Sequence, residues 1–204
     1  MKFILFVEGD TEKGALAPFL KRWLDPRLPK PVGLQTVHFE GWADLAKNSP
    51  TKANLYLSQP DVIAVIALLD LYGPTIYPED RNTPAERYQW GKEFLEREVN
   101  KSNFLQFFAV HEVEAWLLSD PSIFPDSIKS SIQKISDSPE EINNTKPPAK
   151  RLDDIYKKQT KKRYMKTTCG INLFSKLDPN IAYQKCPYLK ALLDEMLRMA
   201  SEQE

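Results

Sequence analysis

Cysteine is nearly missing. Cys169 and Cys186 are the only two in 204 residues and lack CxxC spacing, which excludes a disulfide framework. They read as reduced thiols of a cytoplasmic protein. Histidine is as scarce, with only His38 and His111. No run of roughly 18 apolar residues occurs, which excludes an ordinary membrane-spanning helix. The apolar segment Phe3–Val7 is cut short at Glu8, too early for a secretory leader. Net charge is missing too: 28 Lys and Arg balance 28 Asp and Glu, so bulk charge gives no argument for nucleic acid. There is no GxxxxGK[ST], GxGxxG or GxSxG pattern, which removes the usual nucleotide-binding loops and the acyl-transfer elbow. No internal repeat is visible.

What is present is an alternation. Lys2–Val7 is a β-branched and aromatic run ending at Glu8-Gly9-Asp10, which reads as a buried strand feeding a tight turn. Leu16, Phe19, Leu20, Trp23 and Leu24 then have helical spacing, with Asp10 or Thr11 as cap and Asp25-Pro26 as stop. Leu34–Phe39 alternates like a strand, and Trp42–Ser58 looks helical with an interruption at Pro50. Asp61–Leu69 is the most apolar stretch and ends abruptly at Asp70, as a central parallel strand does. After a loop from Gly73 to Pro84 come a helix over Ala85–Asn100 and a strand over Phe104–Val110. His111-Glu112-Val113-Glu114 then opens into a helix over Ala115–Leu118. The order predicts an α/β fold with a mainly parallel sheet flanked by helices. Ser, Asp, Asn and Pro dominate 136–148, and short helical patterns follow at 150–165 and 188–201. Residues 1–121 are expected to be the core, with 122–204 a helical extension packed on it.

Carboxylates fall at the ends of three predicted strands: Glu8 with Asp10 and Glu12, then Asp70, then Glu112 with Glu114. In open α/β sheets that edge binds ligands. Several carboxylates brought together repel one another unless a cation joins them. Oxygen donors without Cys and with little His favour Mg²⁺ or Mn²⁺ over zinc. The expected ligands are therefore Glu8, Glu12, Asp70, Glu112 and Glu114. HExxH chemistry is excluded, because Ala115 stands where the second His belongs. His111 is a candidate catalytic residue, expected to share a helix face with Glu114; a backbone-bonded structural His is the alternative. His38 reads as structural. The segment Lys146–Lys166 is basic, with only Asp153 and Asp154 opposing. Lys166 is the preferred catalytic cation, and Lys150 and Arg151 are candidate phosphate contacts. A solvated basic helix is the plain alternative.

Glu8-Gly9-Asp10-Thr11-Glu12 after an apolar strand, with Asp70 ending a later one, resembles the Toprim domain of topoisomerases, primases and OLD-family nucleases. More closely, the chain resembles the bacterial domain-of-unknown-function family 4276, grouped with Toprim-like proteins. That likeness is carried by Val7–Glu12, Asp70-Leu71-Tyr72-Gly73, His111–Ala115, Leu118–Pro121, Lys150-Arg151-Leu152 and Cys186-Pro187. The resemblance implies that Glu8 is a metal ligand or general acid/base. It also implies that Asp70 is the first aspartate of a metal-binding DxD, whose second position is here Tyr72. It implies phosphodiester hydrolysis of DNA or RNA, a nucleic-acid partner, and a separate AAA- or ABC-type ATPase working in trans in a bacterial defence-type setting. A Toprim scaffold serving only as a binding or regulatory module of an ATPase complex is the competing expectation. Phosphoryl transfer on a small nucleotide is the third.

Overall fold

A computed structural model describes residues 1–141 and 146–203. The stretch 136–148, read above as Ser-, Asp-, Asn- and Pro-rich, therefore includes residues 142–145, which lie outside the described residues. Four parallel strands form the sheet in the order β2-β1-β3-β4, with β1 Lys2–Val7, β2 Gly33–His38, β3 Val62–Asp70 and β4 Phe104–Ala109. The apolar runs are explained by burial on both faces. Phe3, Leu5 and Val7 point into one core layer, and Ile4 and Phe6 into the other. On the first face lie α1 (Asp10–Leu24) and the C-terminal helices. On the second lie α2 (Trp42–Leu57) and α3 (Pro84–Val99). The chain is thus an α/β protein with helices on both sides of a parallel sheet.

Local signals set most boundaries. Thr83 and Glu86 form a capping box at the start of α3, and Asn100 ends that helix in the left-handed conformation. Two expectations are corrected. The cap of α1 is Gly9, which makes no side-chain cap bond, and Asp10 is already helical. Pro50 does not interrupt α2: the missing N–H costs one bond, and the helix continues with the Asn54 side chain donating to the Pro50 carbonyl at 2.7 Å.

Beyond β4 come α4 (Glu114–Leu117), α5 (Asp126–Gln133), α6 (Pro148–Thr160), α7 (Ile171–Lys176), α8 (Pro179–Lys185) and α9 (Pro187–Ser201). Helices α7, α8 and α9 pack against α1, and their apolar residues, among them Phe174, Leu189 and Leu193, join the core layer under that helix. Glu140 ties the region together. Its buried carboxylate accepts the Trp116 indole N–H at 3.1 Å and the first N–H groups of α9, from Tyr188 at 2.8 Å and Leu189 at 3.3 Å. It caps a helix whose own N-cap residue offers no side-chain bond.

Candidate active site at the carboxyl edge of the sheet

Parallel register brings the strand ends together. Phe6 pairs with Ala67, Val7 with His38, and Asp70 with Ala109, so the residues that follow emerge at one edge. Glu8 reaches across to β3, where its Oε1 accepts the Asp70 backbone N–H at 3.3 Å. The Asp70 Oδ1 accepts the Val113 N–H at 3.2 Å, which fixes the turn after β4. Glu112 accepts the Ala149 N–H, at the start of α6, at 2.9 Å. Lys166, after an extended Met165, directs its ammonium into the same place, 3.0 Å from Glu112 and 3.4 Å from Glu114.

Glu8, Glu12, Asp70, Glu112, Glu114 and Lys166 are therefore neighbours, although they come from four stretches of chain. Two glycines make room. A methyl group on Gly9 would lie 1.9 Å from the Glu12 Oε2, and one on Gly73 would lie 3.3 Å from the Glu8 Oε1. A cavity of about 300 Å³ opens beside the acids, lined by Glu8, Asp70, Tyr72, Gly73, His111, Glu112 and Pro147.

Electrostatics follow from crowding in a poorly solvated place. Burial, followed by repulsion from Glu12 and Glu114, pushes the Asp70 carboxyl well above its ordinary range, while Lys166 opposes the shift. Burial raises Glu8 and Glu12 as well; the Asp70 N–H bond opposes it at Glu8, and Lys166 opposes it at Glu12. Burial lifts Glu114 to about 7 against the pull of Lys166. Glu114 is fully buried, and among the described residues neither of its oxygens accepts a hydrogen bond of good geometry. Lys166, surrounded by acids, is held above the usual lysine range. Such a set of hard oxygen donors fits Mg²⁺ or Mn²⁺ in its chemistry. Among the described residues no three acidic or imidazole groups form a ready-made cage. Lys166 is the cation that stands among them.

His111 differs from expectation. It precedes α4 with φ 69°, a left-handed conformation unusual for a residue with a side chain, so it shares no helix face with Glu114. Its ring stacks on Tyr72 with centroids 4.8 Å apart and planes 10° apart. Burial lowers its pKa, opposed by Glu112, which favours the neutral ring. Lys150 and Arg151 lie in the first turn of α6, next to Ala149, whose N–H meets Glu112; Lys150 is exposed and Arg151 half-buried. His38, expected to be structural, ends β2 at the same edge, with its Nε2 3.9 Å from the exposed Asp10.

Tyr164 was missed. Among the described residues its buried hydroxyl has no hydrogen-bond partner, and after burial itself Glu114 is the largest influence holding it protonated. The alternation of buried Tyr164, exposed Met165 and site-facing Lys166 was the available signal, since an extended segment sends alternate side chains to opposite sides.

Fold and edge together define a parallel α/β protein with a lysine-bridged acidic centre at the strand C-termini. The chain belongs to the family described as Domain of unknown function (DUF4276), whose model matches residues 7–197. Among solved structures it is similar to the C-terminal region of the Burkholderia pseudomallei OLD protein, at 15% identity and a TM-score of 0.50, covering 98% of each chain. It is also similar to the C-terminal region of the Xanthomonas campestris pv. campestris OLD protein, at 13% identity and a TM-score of 0.49, covering 98% of this chain and 96% of that one. At these identities the likeness concerns the fold. No curated protein matches. No helix among the described residues is long and apolar enough to cross a membrane.

Proposed function

We propose that the chain is a Toprim-like nuclease that hydrolyses phosphodiesters of DNA or RNA with Mg²⁺ or Mn²⁺ in a bacterial cytoplasm. In this reading residues 1–121 form the core, and 122–204 form the extension that supplies Lys166. The supporting observation is the convergence of Glu8, Glu12, Asp70, Glu112 and the fully buried Glu114 around a single ammonium group. Five carboxylates and one lysine leave negative charge in excess, which a divalent cation would offset. Glu8, Glu12, Asp70, Glu112 and Glu114 would hold the ion, which when bound polarises the phosphate and lowers the pKa of water.

The chain's own residues would do the rest. Glu8, whose carboxyl burial holds above its ordinary range, is placed to take or return a proton at the edge of the cavity. Lys166 faces the developing charge on the phosphoryl oxygens. A neutral His111 on the cavity wall can accept a proton from the attacking water or position it. Lys150 and Arg151 contact flanking phosphates from the first turn of α6. Overall, water adds to phosphorus, the ester P–O bond breaks, and the departing oxygen leaves with a proton. The proposed partner is a separate ATPase of AAA or ABC type, acting in trans in a defence-type system, as the family resemblance implies.

The test is cleavage of single- and double-stranded DNA and RNA with Mn²⁺, Mg²⁺ or EDTA. Metal-dependent cleavage is expected; none on any substrate, with or without an ATPase partner, ends the reading. A second reading, a non-catalytic Toprim module, is favoured by Tyr72 stacked on His111 and by a lysine that already neutralises part of the cluster. Calorimetric titration separates the two, since the module takes up no Mn²⁺.

Gly9→Ala probes the same centre gently. The backbone at Gly9, φ −109° and ψ 156°, suits any residue, so folding stability should change by less than about 1 kcal/mol. The new methyl group would evict the Glu12 carboxylate. We expect Mn²⁺ affinity to fall roughly tenfold, or about 1.4 kcal/mol, measured by titration beside a thermal melt. Unchanged affinity would remove Glu12 from the ligand set.

A further inference from the structure

The basic stretch behind Lys166 forms one object in space. Helix α6 buries Pro148, Leu152 and Tyr156 on one side. On the opposite side Lys150, Lys157 and Lys158 fall within about 100° of one another at helical spacing; Lys161, the left-handed cap that ends the helix, follows them, and all four are exposed. Lys162 and Arg163 follow as the chain turns back toward Lys166, and Lys146 precedes the helix. Asp153 and Asp154 are the only acids in this stretch; Asp153 pairs with Lys157 and Arg163, and Asp154 with Lys146. Among the described residues Lys150, Lys158, Lys161 and Lys162 have no acidic partner. The chain is formally neutral, so this ridge is a local excess of positive charge.

Its position gives the excess a direction. The ridge starts where the Ala149 N–H meets Glu112, runs about 20 Å for 13 residues, and returns through Tyr164 and Met165 to Lys166 at the acidic centre. Lysines clustered without counter-charges repel one another, and nothing in the folding of α6 requires them, because its packing side is the apolar one. A phosphate every 3.4 Å of strand would complement a row of that length.

We propose that the exposed face of α6, together with the turn that follows it, is a rail for the sugar–phosphate backbone of a nucleic-acid strand. Through Lys150, Lys158, Lys161 and Lys162 it leads the strand to or from the acidic centre without reading its sequence. The rail deepens the phosphodiesterase reading and rests on it for its purpose, but it binds without metal and can be tested separately.

The test is fluorescence anisotropy of a fluorescein-labelled single-stranded oligonucleotide in EDTA. The wild type is compared with the triple variant Lys158→Gln, Lys161→Gln, Lys162→Gln, and with a charge-matched control, Lys13→Gln, Lys30→Gln, Lys101→Gln. In the rail variant we expect binding at about 50 mM salt to weaken at least tenfold. The slope of log affinity against log salt should become shallower by about 2, roughly 0.7 for each lysine removed. The control should bind as the wild type does. Unchanged binding in the rail variant, an equal loss in the control, or no binding by the wild type would each overturn the rail. Failure of cleavage with binding intact would sink only the nuclease reading.

Discussion

Asp70→Asn should abolish metal-dependent cleavage and, in the same protein, raise the stability of the metal-free form. Asparagine keeps the side-chain shape and an oxygen to accept the Val113 N–H, bonded at 3.2 Å in the wild type. What disappears is a negative charge in a buried place, already opposed by Glu12 and Glu114. Where Asp70 is ionised without metal that charge is a liability, and replacing it should stabilise the fold by about 1.4 kcal/mol for each pKa unit by which burial raises the group. With metal it is a ligand, and loss of one electrostatic contributor to a preorganised site costs roughly 10²–10³ in rate. Thermal melts in EDTA and in Mn²⁺, beside a cleavage assay, read both signs. The variant should melt higher than wild type in EDTA and gain little from Mn²⁺. Destabilisation in EDTA would make Asp70 chiefly the anchor of the Val113 turn; wild-type cleavage would remove it from the chemistry.

The edge itself was legible because apolar runs stop where charge begins. Val7 gives way to Glu8 and Leu69 to Asp70, and the observed strands end within a residue of those changes. Parallel pairing of β1 with β3 then makes Glu8 and Asp70 neighbours. Lys166 was legible as a candidate cation, but its partner Glu112 lies 54 residues away in sequence. Only the path of α6 out and back joins the two, and no local pattern encodes it.

His111 was misplaced because a left-handed residue before a four-residue helix depends on the Tyr72 stack and on the Asp70 bond to Val113, both set by tertiary context. Helices α5, α7 and α8 have 8, 6 and 7 residues, too short for a periodic signal. They persist through burial of Ile128, Ile132, Leu173, Phe174 and Ala182, in keeping with the rule that packing stabilises short helices more than propensity does.

The metal-free protein should lose stability as pH rises from about 5 to about 8, the reverse of ordinary acid denaturation. Burial lifts Glu114 from 4.5 to about 7, so between those values the folded state binds a proton that the unfolded state has released. The stabilisation is complete below the lower value, is lost through the upper one and changes no further above it. At about 1.4 kcal/mol per pKa unit, Glu114 alone accounts for at most about 3 kcal/mol. Glu140, also raised to about 7 by burial, adds a second component away from the acidic centre. Glu140→Gln removes that component and leaves the one from Glu114. Mn²⁺ acts oppositely, rewarding the ionised cluster, and should flatten only the Glu114 component. Lys166→Met should steepen it, because the ammonium now 3.4 Å from Glu114 is what partly holds that carboxyl down. Urea unfolding at several pH values in EDTA measures all of this. A level or rising profile in the Glu140→Gln background would mean that Glu114 is comfortably ionised in the fold, leaving no excess of charge at the sheet edge for a metal to offset.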